Sequence, residues 1–280
     1  IIGSIIPLLA YCIAFQLLAH KRMATIIAVT LAIEPLALLF SLTIMSETFF
    51  TTLFLAGVTL FLDYWKDRQE FVLAVATGFF ALATLARPTI QFLPFVRILA
   101  VFFIAKGRAS IALRHSLVIA AVFLVMTAPW SVRNFVRFGN PALSVQYASV
   151  PYAYLIPSVL ALEKDISFMD ALKQFYDGEG KIDSVEDVTL ANASFYRQRT
   201  TEILKEHPVG LIKSVGVTFL TFFTHDGYLD VLRRVGRSPS LQLERPAFFI
   251  LLESPQKAWE FMRPLLWSPA LFVILGRIAW

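Results

Sequence analysis

Thr127-Ala128-Pro129-Trp130-Ser131-Val132-Arg133-Asn134-Phe135-Val136-Arg137-Phe138-Gly139-Asn140-Pro141 divides the chain into two compositions. Before it runs an almost unbroken series of hydrophobic segments; after it, residues 138–207 are mostly polar. Such a boundary marks the place where a membrane-spanning helix leaves the bilayer. The stretch carries what an exit uses: Trp130 for the aromatic belt, Arg133 and Arg137 at headgroup level, and a proline and glycine to end the span.

Composition agrees with that reading. Of 280 residues, 57% are hydrophobic and only 16% charged, against about 25% charged in soluble domains. The mean hydropathy is +0.67. These values point to an all-α polytopic membrane protein. The net charge of +5 fits cytoplasmic loop anchors and an anionic lipid partner, and nucleic acid is not expected as a partner. Cys12 is the single cysteine, which excludes an internal disulfide framework and a cysteine-based zinc site. The chain starts hydrophobic at Ile1-Ile2 without a methionine and stops at Trp280 inside another apolar run. It reads as an internal fragment, with functional residues expected outside it as well.

About 20 apolar residues span a bilayer as a helix. Hydropathy predicts spans over 1–19, 24–44 (interrupted at Glu34-Pro35), 47–65, 71–87, 90–105 and 112–130. With six spans, His20-Lys21-Arg22, Lys66/Arg68 and Lys106/Arg108/Arg114 share one side, which the positive-inside rule makes cytoplasmic. The other side then holds Ser46-Glu47, Arg87-Pro88-Thr89, Trp130 to Arg133 and residues 138–207.

Within 138–207, Ala148 to Leu162 is apolar with Pro151 and Pro157 and is expected to lie against the membrane surface. Phe168 to Tyr176 predicts a short helix, Asp177-Gly178-Glu179-Gly180 a loop, and Glu186 to His207 a longer helix. The expected face of that helix is Val188, Ala191, Phe195, Thr201 and Leu204, and Pro208 ends or bends it. Asn192-Ala193-Ser194 matches a glycosylation sequon that arises often by chance. Residues 209–223 suit either an interfacial helix or a short tilted crossing. Residues 228–264 suggest surface-lying helices, and 264–280 begin a further span.

Ionisable groups at membrane depth mark functional sites by default. Glu47 follows Ser46 at the start of the third span; it either favours the positive end of that helix or positions a sugar hydroxyl, an acceptor amine or a metal. Arg87 ends the fourth span as a snorkelling anchor or as a phosphate contact, since a guanidinium pairs with phosphate oxygens in a fixed fork. Arg133 and Arg137 share a face if their segment is helical; they serve as anchors or complete an anion site. Glu34 is expected to face the bundle interior, Asp63 to be interfacial and Arg97 to snorkel. His207 and His225-Asp226 lack a second ligand at a diagnostic spacing for metal. No Walker loop, nucleophile elbow or HExxH motif occurs.

Met45-Ser46-Glu47-Thr48, Ala83-Thr84-Leu85-Ala86-Arg87-Pro88-Thr89 and Ala128-Pro129-Trp130-Ser131-Val132-Arg133-Asn134 with Phe138-Gly139, together with Ile203-Leu204-Lys205-Glu206-His207-Pro208, resemble bacterial members of the dolichyl-phosphate-mannose protein mannosyltransferase family. That family belongs to the GT-C glycosyltransferases, which include the aminoarabinose transferases of lipid A. The resemblance covers roughly residues 1–225. It implies a GT-C-type transmembrane helix bundle over 1–137, a periplasmic helical segment over 138–207, and membrane-associated helices with the start of a further span over 208–280.

The activity implied is inverting transfer of a sugar from a polyprenyl-phosphate donor to a lipid, glycan or protein acceptor, at the outer face of a bacterial inner membrane. Arg133 and Arg87 would contact the donor phosphate, and Glu47 would shape the site or assist a divalent metal, the one cofactor considered. Asn134, Trp130 and Arg137 are further substrate-binding candidates. The family's general base lies in a first exterior loop that these residues do not include, so no catalytic residue is assigned. Two other readings stand beside it. A transporter or flippase of an anionic lipid-linked substrate would use the same arginines as a pathway, and a noncatalytic scaffold would scatter them around the perimeter.

Overall fold

The computed structural model describes residues 2–34, 37–38, 41, 46–105, 108–179 and 188–224. The expectations for His225-Asp226, 228–264 and 264–280 lie outside these residues. Among the described residues the secondary structure is helical, with no strand. The chain divides into two compact units, residues 1–137 and 138–280.

The first unit contains α1 (Ile2–Leu18), α2 (Lys21–Ala32), α3 (Ser46–Asp67), α4 (Glu70–Ala86), a 3-10 turn (Pro88–Ile90), α5 (Leu93–Ile104) and α6 (Ala109–Phe138). Two of these, α3 and α6, are long and apolar enough to cross a membrane. The other four expected spans form shorter helices. The 17-residue α1 and α4 rise about 25 Å, and the 12-residue α2 and α5 about 18 Å, against about 30 Å of hydrocarbon. Proline explains two of these lengths. Pro35 disfavours helix in the residue before it, and α2 stops at Ala32. Glu34 then caps the turn beyond the break: its Oε2 accepts the Ala37 N–H at 2.5 Å and its carbonyl the Leu38 N–H at 3.0 Å. Pro94, within the first two residues of α5, sets that start where its missing N–H is harmless.

Four contacts and one tight turn fix the direction of the helices. Thr52 Oγ1 reaches the Ile2 carbonyl at 3.5 Å, and Gln16 Nε2 donates to Asp63 Oδ1 at 3.0 Å, so α1 and α3 run parallel. Asp63 is thereby tied into the bundle and is more than an interfacial charge. The tight connection at Arg68, which adopts a left-handed φ of 57°, returns α4 antiparallel to α3. His115 Nε2 lies 3.3 Å from Glu70 Oε1, and a Cβ on Gly78 would sit 3.5 Å from Met126 Sδ, so α6 runs parallel to α4. One end of the unit therefore gathers His20, Lys21, Arg68 and Arg114. The other gathers the start of α3, the end of α4 and the last turns of α6.

Toward the first of these ends, Tyr64, Leu73, Val101, Ile104 and Ile119 form an apolar core. Large apolar side chains also cover the outside, with Phe71, Phe103 and Val136 among the most exposed. An outer surface of this kind suits lipid better than water.

The sixth expected span is longer than hydropathy indicates. α6 continues through Pro129 to Phe138, about 45 Å at 1.5 Å per residue. Gly139, at φ +69°, terminates it in the left-handed conformation that glycine adopts without a Cβ penalty. Trp130, Arg133 and Arg137 thus sit on the helix itself.

The second unit contains α7 (Gln146–Val150), a π turn (Pro151–Leu155), α8 (Ile156–Lys164), α9 (Phe168–Glu179), α10 (Ala193–Glu206) and α11 (Pro208–Thr224). Pro157 has no N–H to offer the preceding turn, and the backbone widens into the π turn just before it. The segment Ala148 to Leu162, expected to lie against the membrane surface, supplies part of the core of this unit. Ala148, Tyr152 and Ile156 are buried with Phe175, Ala193, Tyr196 and Ile203. α9 runs through Asp177-Gly178-Glu179, where a loop was expected. α10 starts at Ala193, because Asn192 Oδ1 accepts the Thr189 N–H at 2.7 Å and shapes a turn there. Its buried face is Ala193, Tyr196, Thr200 and Ile203, one position off the expected face, and Phe195 is exposed. The 209–223 stretch is continuous helix, packed on α8.

Candidate functional site

Glu47 and Arg87 meet. Glu47 lies in the first turn of α3 and Arg87 caps α4, and the antiparallel hairpin brings these positions level. Arg87 Nη1 is 2.5 Å from Glu47 Oε1, with each side chain about one-third exposed (31% and 32%). Two residues with separate expected roles are thus one neutral pair. The Glu47 carboxylate is engaged by a cation, and no three His, Cys, Asp or Glu side chains gather into a metal-holding group among the described residues.

Arg133 is arranged differently. Its Nη1 donates to Asn134 Oδ1 at 2.9 Å, and its Cζ lies 4.6 Å from the centroid of the Trp130 ring. Asn134 is buried at 1% exposure, so it is a fixed acceptor, whereas Trp130 is 45% exposed. No carboxylate pairs with Arg133 among the described residues. Arg137 follows one turn later on the same exposed side of α6. Because α6 runs parallel to α4, these last turns are at the same end of the unit as the Glu47–Arg87 pair. That end therefore offers an arginine paired with Glu47 and, held over an indole, one without a carboxylate partner among the described residues. Chemically, it can receive an anion.

At the opposite end is a polar chain that inspection of the sequence missed. Tyr64 Oη and His115 Nδ1 are 2.7 Å apart, both side chains being almost fully buried. His115 Nε2 faces Glu70 Oε1 at 3.3 Å, and Glu70 pairs with Arg114. Arg68 donates to the Ile104 carbonyl, closing the end of α5 onto the α3–α4 turn.

Arg97 departs from its expectation. Snorkelling was expected, yet its side chain is 3% exposed. Nη2 donates to Thr77 Oγ1 at 2.8 Å, and Cζ lies 4.5 Å and 5.1 Å from the Phe80 and Phe61 ring centroids. The signal was in the spacing: Pro94, Arg97, Val101 and Ile104 form one stripe at helical period, and all four are buried.

In the second unit, His207 Nδ1 lies 3.1 Å from Glu163 Oε2. Asn140 donates to Tyr147 Oη at 2.8 Å and to the Leu190 carbonyl at 3.2 Å, tying down the segment that follows Gly139. A cleft of about 320 Å³ opens between α8, α9 and α10, with Lys164, Gln174, Arg199 and Glu206 on its walls.

Comparison with known proteins finds no matching family model, no matching curated protein and no matching solved structure.

Proposed function

We propose that the chain is part of a multi-pass GT-C-type membrane glycosyltransferase. It transfers a sugar from a polyprenyl-phosphate donor to a lipid, glycan or protein acceptor at the outer face of a bacterial inner membrane. The observation that carries this reading is Arg133, a guanidinium held by Asn134 and Trp130 with no carboxylate partner among the described residues. It stands at the end of the first unit away from His20, Lys21, Arg68 and Arg114. Charge bias makes that basic end cytoplasmic, so Arg133 faces the outer leaflet at headgroup depth. A lipid phosphate is the anion available there. During transfer, negative charge grows on the leaving phosphate, and a pre-positioned guanidinium stabilises it without reorganisation. Arg87 joins when Glu47 releases it, and Arg137 extends the cationic surface.

The test is binding of a polyprenyl-phosphate sugar to the full-length protein in detergent. Arg133→Ala weakens binding by about tenfold, or roughly 1.4 kcal/mol. Equal binding by the wild type and this variant, both folded, removes Arg133 from the site. The rival reading, a transporter or flippase for an anionic substrate, gains from the buried Arg97 within the bundle. It predicts substrate movement across proteoliposomes without any sugar transfer.

A further inference from the structure

Arg97 is the most deeply buried cation among the described residues. Its Nη2 is satisfied by Thr77 Oγ1 at 2.8 Å, but Nε and Nη1 have no hydrogen-bond acceptor among the described residues. Thr77 is a neutral partner, and its own hydroxyl donates to the Leu73 carbonyl at 2.7 Å. No carboxylate forms an ion pair with Arg97 among the described residues. The Phe61 and Phe80 rings attract the charge, yet an aromatic face offers no in-plane acceptor for the remaining N–H groups. A buried N–H left unmade is unfavourable, and a buried charge without a counter-ion more so.

We propose that Arg97 is an anion-binding residue inside the first unit, and that its ligand is a phosphate-type oxyanion. The class follows from the donors. A guanidinium with unmet N–H groups suits an acceptor bearing several oxygens and negative charge, which a phosphate supplies. The anion is either the headgroup of an anionic lipid or free phosphate; the chemistry at Arg97 is the same. This site is distinct from the Arg87–Arg133 end and does not depend on the glycosyltransferase reading. Arg97 lies along the bundle between Thr77 and Phe80 on α4 and Phe61 on α3.

The test uses the full-length protein in nanodiscs of zwitterionic lipid, so that no anionic headgroup competes. Thermal unfolding is followed while inorganic phosphate or dihexanoyl phosphatidic acid is titrated at constant ionic strength, with chloride as control. Wild type gains a saturable upward shift with at least one phosphate probe. An Arg87→Ala/Arg133→Ala double variant keeps it. Arg97→Met, which exchanges a buried charge for an apolar side chain and is expected to fold, binds at least about tenfold more weakly. Arg97→Lys, which keeps charge but loses the fork, is weakened too. A shift with phosphatidic acid alone assigns a lipid headgroup; a shift with both probes assigns a free phosphate. No saturable shift in wild type, an equal shift in Arg97→Met, or an equal shift with chloride overturns the proposal. The wild-type titration stands even if the variants do not fold.

Discussion

The Glu47 carboxylate lies 2.5 Å from the Arg87 guanidinium and joins the start of α3 to the end of α4. A carboxylate in this position competes with any anion for Arg87. Glu47→Gln removes the competitor and leaves the shape, so donor binding tightens, by roughly 3- to 10-fold if Arg87 contacts the phosphate. Arg87→Ala loosens it. If the pair serves only to close the hairpin, both variants bind the donor like wild type. Each then loses no more than about 1 kcal/mol of stability, as expected for a pair that water still reaches. Titration of the two variants beside a thermal-unfolding measurement separates the cases.

Trp130 positions Arg133 through the face of its ring, at 4.6 Å. Trp130→Ala gives up a cation–π contact of about 0.5–1 kcal/mol, so donor affinity falls roughly two- to fivefold, less than for Arg133→Ala. Trp130→Phe retains most of it. A Trp130→Ala variant as weak as Arg133→Ala would mean that the indole itself stacks on the donor, an outcome read from the same titration.

The arginine end was legible in part because helix ends announce themselves. Arg87-Pro88 stops one helix and Ser46-Glu47 opens another, and a hairpin turn at Arg68 brings two such ends level. What the sequence did not announce is that they neutralise each other. Pairing is a property of topology, which the residue types at two helix ends do not specify. Arg97 was misread for a different reason. Snorkelling considers depth along the helix, but burial depends on the face, and Arg97 shares its face with Val101 and Ile104. α6 outran its hydropathy because proline at Pro129 removes one hydrogen bond without ending a helix held by its neighbours. Ala148 to Leu162 also supplies core residues, Ala148, Tyr152 and Ile156, which pack on α9 and α10. Hydropathy alone does not distinguish a lipid-facing segment from a small protein core.

Tyr64 and His115 form a buried hydrogen bond 2.7 Å long between α3 and α6. Tyr64→Phe keeps the ring packing and removes only the hydroxyl, leaving the His115 Nδ1 unmatched. The expected loss is about 1–3 kcal/mol of stability, seen as a lower unfolding temperature in detergent. A double variant with His115→Phe, which removes both partners, loses less than the sum of the single changes. Additive losses would show that the two side chains do not depend on each other.

Gly210 gives the last test, and its sign is diagnostic. It lies in the first turn of α11, where alanine would favour the helix by up to about 1 kcal/mol. A Cβ there would lie 2.7 Å from the Val159 carbonyl oxygen and 2.8 Å from both Val159 Cγ1 and Glu163 Oε2. The nearest atom belongs to the backbone of α8 and cannot swing aside, so α11 must move away from α8. That movement also carries strain to Glu163, the partner of His207. Gly210→Ala is therefore expected to destabilise the second unit by about 1–3 kcal/mol, and to expose residues near His207 to protease at lower temperature than in wild type. A Gly210→Ala variant more stable than wild type would mean that α11 is not seated on α8 at this distance, because only its intrinsic helix preference would then be felt.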